Sequence, residues 1–572
     1  MKKNKINNKD YPWYKYYKDV PKHCSYPDCS MYEMVRRCAM KYPSNIAYSY
    51  YGTKVTYRTY IKNIDEVACA FIRFGVKKGD MVTLAMPNTP EAITCVYALN
   101  KLGATVNIMH PLSSEEEFKY GINLTKSKYV ICADIVYSKI YAIKDSANIK
   151  KILYIPVCES MDPIMTIGYK LTTGRKAMSP RGEDTIPYFR FIARAKFHKE
   201  KVLDSSKGSD VAVILHSGGT TGKPKGIELT NNNFNAMITN LVALNKVIAP
   251  GKSMLAIMPI FHGFGLGCTF HACMTTGAEA IILPTVNPRE FDKTIIKYKP
   301  NIIACVPSIL ESLPSSKVLK DADLSFIECM CVGGDSLSES LNKKLDEFLY
   351  DHGCDVKVRT AYGMTECTAG VTMMPYEESR LGSVGIPAPD NYIKIVKPGT
   401  TEEVALGLDG EVVINGPLVM KGYINDKNET DIMLKKHKDG KIWLHSGDMG
   451  HLDEDGFLYF KSRIKRMIVS SGYNVYPSQI EQIINEHPYV KTSVAVGVPH
   501  PYKKEVIKVY IVLKDGLVLN SEIKNSIKAY CKKNIASYAL PYAYGYRKEL
   551  PKTKVGKVAY RELINDNEED DV

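Results

Sequence analysis

The hydrophobic residues of the chain follow two spacings that alternate. Apolar positions at helical spacing run from Tyr57 to about Phe74, and a short apolar run follows at residues 81–85. A helical spacing followed by a short apolar run occurs again at residues 90–102 and 105–109. Helices that alternate with short buried strands are typical of a parallel sheet with helices packed over it. The front of the chain is therefore predicted to be an α/β structure.

Residues 160–207 interrupt this pattern. They are rich in lysine and arginine and carry few aliphatic side chains. This composition predicts a solvated linker, although residues 188–197 have the spacing of an amphipathic helix. Contact with a membrane surface is the weaker alternative, because it needs both a cationic and an apolar face.

The alternation resumes with the apolar run 211–215. Further strands are predicted at residues 253–257, 280–283, 302–306 and 326–332. In open α/β sheets, ligands bind beyond the carboxyl ends of the strands. Four polar, glycine-rich segments follow strands and are predicted to meet at one rim: residues 216–226, 259–267, 333–335 and 361–366.

The back of the chain predicts two smaller units. Turns separate short strands between residues 383 and 448, which indicates a small β subdomain. Beyond residue 465, about one hundred residues mix helices and strands, within the size of a single domain. The predicted fold class is α/β, with a large N-terminal domain of two parallel α/β sheet subdomains and a small β subdomain. A mobile, smaller C-terminal α+β domain completes it.

Composition sets limits on the function. A chain of 572 residues is too long for one core, and 45% hydrophobic with 24% charged residues is typical of a globular protein. The formal charge of +14 comes from scattered lysines, which argues against a nucleic-acid surface. Such charge suits anionic small molecules or a weak attraction to an acidic membrane, and solubility alone explains it equally well.

The cysteines and the N-terminus bear on location. Fifteen cysteines, mostly among apolar residues and without zinc-like pairs, indicate reduced thiols in a cytoplasmic protein. The basic N-terminus lacks the apolar stretch of a signal peptide. No run of eighteen apolar residues predicts a transmembrane helix.

The eleven residues 216–226, which follow a buried strand, are rich in glycine, lysine and side chains with a hydroxyl group. Glycines let the backbone approach a ligand closely, and hydroxyl and backbone N–H groups surround anionic oxygens. We interpret the segment as a polyphosphate loop. The residues assigned to it are Ser217, Gly218, Gly219, Thr220, Thr221, Gly222 and Lys225.

This loop differs from a Walker A motif. Gly218 and Gly222 enclose three residues instead of four, and Pro224 follows Lys223. Because Pro224 lacks an N–H and disfavours helical geometry at Lys223, the loop is not expected to cap a helix.

The loop resembles the signature of the AMP-forming acyl-CoA synthetases, also called the adenylate-forming superfamily. The chain looks most similar to the medium- and long-chain fatty acid–CoA ligases of that family, with the weakest similarity over residues 1–30 and 160–207. Further family motifs follow in order: Phe261-His262, Gly333-Gly334-Asp335, 361–366, Ser446-Gly447-Asp448, Arg463, 472–477 and 551–557.

The resemblance implies a ligase that uses ATP, Mg²⁺ and coenzyme A. A carboxylate attacks the α-phosphorus of ATP to give an acyl-adenylate and pyrophosphate, and a thiol then displaces AMP. It also implies an N-terminal adenylation domain at 1–464, with a β-barrel-like subdomain from about residue 383, and a mobile lid at 465–572. Lys465 is the implied hinge. Lys557 is the implied catalytic lysine, which bridges the carboxylate and the α-phosphate.

The resemblance also assigns roles at the nucleotide. Glu366 and Thr220 are implied to hold Mg²⁺ with the phosphates, and Thr365 to contact the α-phosphate. Tyr362 is implied to face the adenine, and Asp448 to accept the ribose hydroxyls. The remaining implied nucleotide and coenzyme A residues are Gly333, Gly334, Asp335, Ala361, Gly363, Arg463 and Gly472.

The substrate is predicted from the surroundings of His262. No Asp lies there to hold an ammonium group, which disfavours amino acids, and the neighbouring glycines would leave room for an apolar tunnel. His262 would gate that tunnel or be a packed core histidine. A medium- or long-chain fatty acid is the predicted substrate. The alternatives are an aryl or bile-type acid, an acyl carrier protein as acceptor, and a phosphate-releasing ATPase or kinase, which the loop spacing disfavours.

Overall fold

The computed structural model describes residues 11–198, 202–217, 224–470, 473–500, 504–552 and 558–564. Short 3-10 turns, such as Pro12–Tyr16, and a π-helical turn at Phe264–His271 join the longer elements. The helices are α1 (Met31–Lys41), α2 (Tyr57–Phe74), α3 (Pro90–Lys101), α4 (Glu115–Thr125), α5 (Tyr137–Ala142), α6 (Pro163–Leu171), α7 (Tyr188–Ala193), α8 (Asn231–Leu244), α9 (Ala272–Thr276), α10 (Phe291–Tyr298), α11 (Pro307–Leu310), α12 (Glu339–Asp351), α13 (Lys427–Met433), α14 (Pro477–Asn485), α15 (Ser521–Asn534) and α16 (Tyr560–Ile564).

The strands form four sheets. They are β1 (Ile46–Tyr50), β2 (Thr53–Thr56), β3 (Met81–Ala85), β4 (Thr105–Ile108), β5 (Tyr129–Ala133), β6 (Lys151–Ile155), β7 (Thr185–Pro187), β8 (Val211–Ser217), β9 (Lys225–Thr230), β10 (Ser253–Ala256), β11 (Glu279–Ile282), β12 (Ile302–Cys305), β13 (Cys329–Val332), β14 (Val358–Gly363), β15 (Gly370–Met373), β16 (Ile386–Pro387), β17 (Tyr392–Val396), β18 (Gly410–Asn415), β19 (Gly422–Tyr423), β20 (Leu434–Lys436), β21 (Ile442–Leu452), β22 (Leu458–Arg463), β23 (Ile468–Ser470), β24 (Tyr473–Val475), β25 (Val490–His500), β26 (Lys504–Leu513) and β27 (Ala543–Tyr546).

The first sheet has eight strands in the order β19-β9-β8-β4-β3-β5-β6-β7. Its central strands are parallel, as the alternating pattern predicts, and β9 turns back antiparallel along β8. The loop between β8 and β9 therefore leads into a strand rather than a helix, which confirms that it is not built like a Walker A loop.

Residues 185–197 belong to the folded body and not to the linker that the sequence predicts over 160–207. β7 extends the first sheet by pairing with β6, and α7 packs the ring of Phe191 against Phe71 and Phe74 of α2. Phe191 is fully buried by this contact, and burial of one aromatic side chain stabilises the position of α7 on the body. The helix predicted over residues 188–197 is confirmed as α7, with a 3-10 turn after it.

The second sheet has nine strands in the order β16-β15-β14-β13-β12-β10-β11-β1-β2. The predicted hairpin of β1 and β2 adds to its far edge, beside β11. Asn88, which follows β3 of the first sheet, bonds to the segment that follows β10 of the second. Its Nδ2 donates to the carbonyl of Met258 at 3.1 Å, and its Oδ1 accepts from the N–H of Ile260 at 2.9 Å. The two α/β layers therefore share one packed interface.

Helix ends follow from local sequence. Thr56 caps the start of α2 by accepting from the N–H of Thr59, and Gly75 ends it in the left-handed conformation with φ +111°. Ser114 and Glu117 form a capping box at the start of α4.

The two smaller sheets form the predicted back of the chain. In the first, β17, β18, β21 and β20 are antiparallel neighbours and β22 pairs with β21. In the second, β24, β23, β26 and β25 are neighbours, β27 pairs with β26, and α14 and α15 cover one face. This mixture of parallel sheets, a β sheet and a separate α+β unit confirms the predicted fold class.

The N-terminal arm packs on the body. Trp13 is fully buried, and the hydroxyl of Tyr17 donates to the carbonyl of Pro387 at 2.8 Å. Among the described residues, no helix is both long and apolar enough to cross a bilayer.

Candidate active site

The glycine-rich strand ends of the second sheet meet at one cleft. Gly333 and Gly334 follow β13, Gly363 ends β14, and His262 follows β10. All four line one cleft together with Ala361. The structure thus brings together three of the four segments that the sequence places at one rim. In the fourth, only residues 216, 217 and 224–226 are described.

Two glycines of this rim are required by close backbone approach. A Cβ at Gly263 would lie 1.8 Å from the carbonyl oxygen of Thr368, and one at Gly363 would lie 1.6 Å from that of Ala369. Thr368 itself has φ +66°, a strained value for a β-branched residue. The glycine beside His262 therefore permits tight packing of the rim, rather than the widening of a tunnel that the sequence suggested.

His262 lines the cleft, as the gating alternative requires, and its Nδ1 accepts from the N–H of Phe264 at 3.3 Å. The ring of the preceding Phe261 packs against His110, with the centroids 4.2 Å apart. The loop after β10 is thereby held against the loop after β4.

Glu366 lies between the two large sheets. It is buried in the 3-10 turn Thr365–Cys367, where Thr365 is buried as well. The hydroxyl of Tyr423 donates to the Oε1 of Glu366 at 3.0 Å, and the N–H of Met420 donates to its carbonyl at 2.8 Å. Because β19 carries Tyr423 and pairs with β9, the edge of the first sheet holds a carboxylate of the second.

Lys225 belongs to the same cluster. Its Nζ lies 2.6 Å from the Oε2 of Glu429 and 5.2 Å from the centre of the Tyr423 ring. Sequence reasoning missed Tyr423 and Glu429, because neither lies in a recognisable motif and both are far along the chain from their partners.

The ends of the phosphate loop are fixed by the β8–β9 hairpin. Ser217 pairs with Lys225, so the loop lies at the tip of two paired strands. Gly218, Gly219, Thr220, Thr221 and Gly222 lie outside the described residues.

His216 stands at the root of this loop. Its Nε2 lies 2.6 Å from the Oδ1 of Asn107, whose own Nδ2 donates to Thr83. Nε2 is therefore the protonated nitrogen of His216. Burial lowers the pKa of His216 to about 4, so the imidazole is neutral near pH 7. Its Nδ1 is buried and has no partner among the described residues.

Asp448, Tyr362 and Arg463 form a second polar cluster. The hydroxyl of Tyr362 donates to the Oδ2 of Asp448 at 2.8 Å, and the Nε of Arg463 lies 3.3 Å from its Oδ1. The Tyr362 side chain is buried, and burial raises its pKa well above the ordinary value. Asp335 lies apart from this cluster on the exposed rim, where its Oδ1 accepts from the N–H of Ser336.

The small C-terminal unit docks beside this cluster. Lys465 is exposed in the 3-10 turn Ile464–Arg466, which connects β22 to β23. The Nη2 of Arg466 lies 2.6 Å from Glu481 of α14, and its guanidinium stacks 4.9 Å from the ring centre of Tyr560. The predicted hinge therefore lies at the junction of the two units.

Residues on both sides of the segment that holds the predicted catalytic lysine are described. Lys552 and Val558 form an antiparallel bridge, while Lys557 itself and Gly472 lie outside the described residues. Desolvation raises the pKa of Glu311 at the rim, and the nearby ammonium of Lys552 opposes that rise. The charge of Lys552 therefore acts on Glu311, which follows helix α11.

The cleft continues into an apolar cavity between α8 and the second sheet. One wall is formed by alternate residues of neighbouring strands, Ile302 and Ala304 on β12 and Cys329 and Cys331 on β13. The opposite wall is α8 and the turn after it. The side chains that line the cavity from there include Met237, Asn240, Leu241, Leu244, Asn245 and Ile248.

The residues present fit one divalent cation held mainly by phosphate. No group of three His, Cys, Asp or Glu side chains that could hold a metal ion occurs in the described ranges. Glu366 is a single buried carboxylate at the rim, and Mg²⁺ is often bound by one or two carboxylates plus substrate phosphates.

Comparison with known proteins decides the family. The family model described as AMP-binding enzyme matches residues 35–424, and the one described as AMP-binding enzyme C-terminal domain matches residues 479–557. The chain belongs to the AMP-binding enzyme family. This membership confirms the predicted class, an adenylate-forming acid–thiol ligase, and the predicted use of ATP and coenzyme A; Mg²⁺ is typical of the family.

Relatives of this AMP-binding enzyme match it over almost its whole length. A long-chain-fatty-acid–CoA ligase of Bacillus subtilis is 32% identical and covers 98% of both chains. One of Escherichia coli O157:H7 is 28% identical over 96% of this chain and 97% of its own. The ATP-bound crystal structure of MatB from Rhodopseudomonas palustris has the same fold, with a TM-score of 0.79 at 22% identity, covering 93% and 98% of the two chains.

Proposed function

We propose that this enzyme converts a medium- or long-chain fatty acid into its coenzyme A thioester through an acyl-adenylate. One observation carries the proposal: the nucleotide-side residues Gly333, Gly334 and Tyr362 line the same cleft as the apolar wall of α8. A carboxylate at the rim would lie beside a nucleotide while its hydrocarbon chain occupies the cavity. The curated relatives named as long-chain-fatty-acid–CoA ligases support this substrate class.

In the first half-reaction, a carboxylate oxygen attacks the α-phosphorus of ATP and the bond to the β-phosphate oxygen breaks, releasing pyrophosphate. Attack of one anion on another is limited by repulsion, so positive charge and positioning dominate. We assign that charge to Lys557. The bridge between Lys552 and Val558 brings the residues on either side of 553–557 together, and the charge of Lys552 acts on Glu311 of the large domain, which supports the assignment.

The nucleotide would be held by the two polar clusters of the rim. Asp448 is assigned to the ribose hydroxyls, Tyr362 to the adenine and Thr365 to the α-phosphate. Glu366 and Thr220 would hold Mg²⁺, which when bound neutralises phosphate charge. The hydroxyl of Tyr423 would orient the carboxylate of Glu366, since it already occupies one oxygen.

In the second half-reaction, the thiol of coenzyme A attacks the acyl carbon, the bond to AMP breaks and the thiol proton is lost. This step needs a different group in the cleft, so we propose that the C-terminal unit, residues 465–572, turns about Lys465. That rotation would withdraw Lys557 and present Gly472. An acyl carrier protein is the alternative acceptor.

The experiment that tests the proposal is a panel of carboxylic acids scored by pyrophosphate release. Saturated fatty acids of increasing length are compared with aryl and bile-type acids, each with and without coenzyme A. Fatty acids are expected to give the highest kcat/KM, with thioester formed only when coenzyme A is present. Activity confined to aryl or bile-type acids would contradict the proposed substrate class. Release of orthophosphate in place of pyrophosphate would contradict the proposed reaction.

We also propose a cytoplasmic location and a peripheral contact with acidic membranes. All fifteen cysteines are free, which suits a reducing compartment. Helix α6 has no buried residue, and Ile164, Ile167 and Leu171 are 81%, 60% and 71% exposed. They lie at i, i+3 and i+7 on one face, and Lys170 is exposed on the same helix.

A further inference from the structure

Strand β21 bulges at the point where it carries the residue assigned to the ribose. Glu411 of β18 pairs with Met449 of β21, and two residues further along β18, Val413 pairs with His445. One residue of β18 therefore lies opposite three of β21, which are Ser446, Gly447 and Asp448. Such a bulge breaks the regular alternation of side chains and the ladder of backbone hydrogen bonds. The direction of the Asp448 carboxylate therefore depends on what holds the bulge.

Two side chains hold the bulge in place of strand-to-strand hydrogen bonds. The buried carboxylate of Glu411 accepts from the N–H of Gly447 at 3.2 Å, where the backbone is left-handed with φ +69°. The hydroxyl of Ser446 donates to the carbonyl of Val412 at 2.5 Å and accepts from the N–H of Asp448 at 3.1 Å. Each residue of the bulge thus bonds to Glu411 or takes part in the bonds of the Ser446 hydroxyl.

Two buried histidines extend this arrangement from Glu411. The Oε2 of Glu411 lies 3.0 Å from the Nδ1 of His445, and the Nε2 of His445 lies 3.0 Å from the Nε2 of His437. Desolvation opposes ionisation of Glu411, but the hydrogen bond from His445 lowers the pKa of Glu411 below its ordinary value. An ionised carboxylate only accepts hydrogen bonds, so the Nδ1 of His445 is the donor of this pair.

We infer that Glu411 and His445 are positioning residues for the nucleotide, because they hold the bulge that directs Asp448 towards the ribose. Tyr362 and Arg463 contact the carboxylate of Asp448 itself, whereas Glu411 acts on the backbone that carries it. This inference rests on the proposed function, because it takes Asp448 as the acceptor of the ribose hydroxyls.

The test compares ATP with dideoxy-ATP, which lacks both ribose hydroxyls, in the pyrophosphate release assay with one fatty acid. The native enzyme is expected to prefer ATP in kcat/KM, because the analogue leaves Asp448 without its hydroxyl partners. In Glu411→Gln, the donors on Gly447 and His445 face an amide that has only one acceptor oxygen. The preference for ATP is expected to fall about tenfold, mainly through a higher KM for ATP.

Asp409→Asn is the matched control. The Oδ1 of Asp409 lies 2.9 Å from the Nδ1 of His451, so this is a second carboxylate–histidine pair between the same stretches of chain. It lies beyond the pairing of Gly410 with Gly450, outside the bulge. Asp409→Asn should leave the preference for ATP unchanged. A native preference in Glu411→Gln would overturn the inference.

Two variants of His445 separate its contact with Glu411 from its contact with His437. His445→Asn puts an amide N–H at the place of the Nδ1 donor and is too short to reach His437, so it should keep the preference for ATP. His445→Leu removes both contacts and should lower the preference as Glu411→Gln does. Because the readout is a ratio of two nucleotides on one enzyme, a smaller folded fraction does not change it. Equal ratios in the two variants would overturn the role of His445.

The two proposals fail in distinguishable ways. If the native enzyme uses ATP and dideoxy-ATP equally well, the assignment of Asp448 to the ribose fails, and the inference fails with it. If the native enzyme prefers ATP and Glu411→Gln keeps that preference, the proposed function stands and only the positioning role of Glu411 fails.

Discussion

At the scale of single residues, the rim is organised by contacts that join distant parts of the chain. Tyr423 donates to Glu366, and His216 bonds to Asn107 across 109 positions of sequence. The partners of each pair are far apart in the sequence, so no local sequence pattern predicts either hydrogen bond. By contrast, Glu366, Asp448 and Tyr362 were assigned from their motifs, and in the structure Tyr362 lines the cleft with Gly333 and donates to Asp448.

The bond from Tyr423 makes a prediction about the metal. Tyr423→Phe should raise the Mg²⁺ concentration needed for half-maximal pyrophosphate release, because the Glu366 carboxylate loses the donor that orients it. Loss of an orienting partner typically weakens metal affinity about 10–100-fold. Tyr376→Phe, at an exposed tyrosine, is the control. An unchanged Mg²⁺ dependence in Tyr423→Phe would contradict the assignment of Glu366.

Glu91 predicts a pH dependence of stability. It is buried at the start of α3, and burial raises its pKa to about 7, although Ser160 donates to its Oε1. From about pH 4.5 to about pH 7 the unfolded carboxyl ionises and the folded one does not, so the free energy of unfolding falls as pH rises. Above about pH 7 this contribution is constant.

Glu91→Gln should therefore be more stable than the native chain at about pH 8, by about 3 kcal/mol, and should lose this part of the pH slope. Urea unfolding at about pH 5 and about pH 8 measures it. Glu116→Gln, at an exposed position, should leave the slope intact. A slope that survives in Glu91→Gln would show that the Glu91 carboxyl is ionised in the folded state.

At the scale of elements, the sequence predicted most of the strands and long helices. Strands β3, β4 and β12 were visible as short apolar runs, and α2 as a helical pattern that ends at Gly75. β7 was missed, because three residues at a sheet edge leave too short a pattern among so many charges. Helix α6 was missed for the opposite reason: its apolar residues face outwards, so they do not mark a core.

The exposed face of α6 predicts membrane binding. Replacing Ile164, Ile167 and Leu171 by serine should reduce the fraction of enzyme that sediments with anionic vesicles, since both apolar insertion and nearby cations contribute. The control variant replaces Ile432 and Val518, which are also exposed apolar residues. Equal sedimentation of the two variants would contradict a role for α6, and pyrophosphate release should be unaffected in both.

At the scale of the whole molecule, the two proposed half-reactions require two arrangements of the C-terminal unit. Lys465→Pro should leave adenylate formation largely intact and block thioester formation, because proline fixes φ at the junction. Acid-dependent pyrophosphate release and thioester yield measure the two steps separately, and Lys465→Ala, which keeps a flexible backbone, is the control. Equal loss of both steps in Lys465→Pro would contradict the hinge.

We propose that Lys557, carried by the small unit, completes a cleft built by the large one. The most direct measurement is acid-dependent pyrophosphate release by Lys557→Ala, with Lys554→Ala as the matched lysine of the same loop. Removing one well-aimed charged donor predicts a loss of about 10²–10³-fold in rate for Lys557→Ala and little change for Lys554→Ala. Undiminished pyrophosphate release in Lys557→Ala would contradict the account.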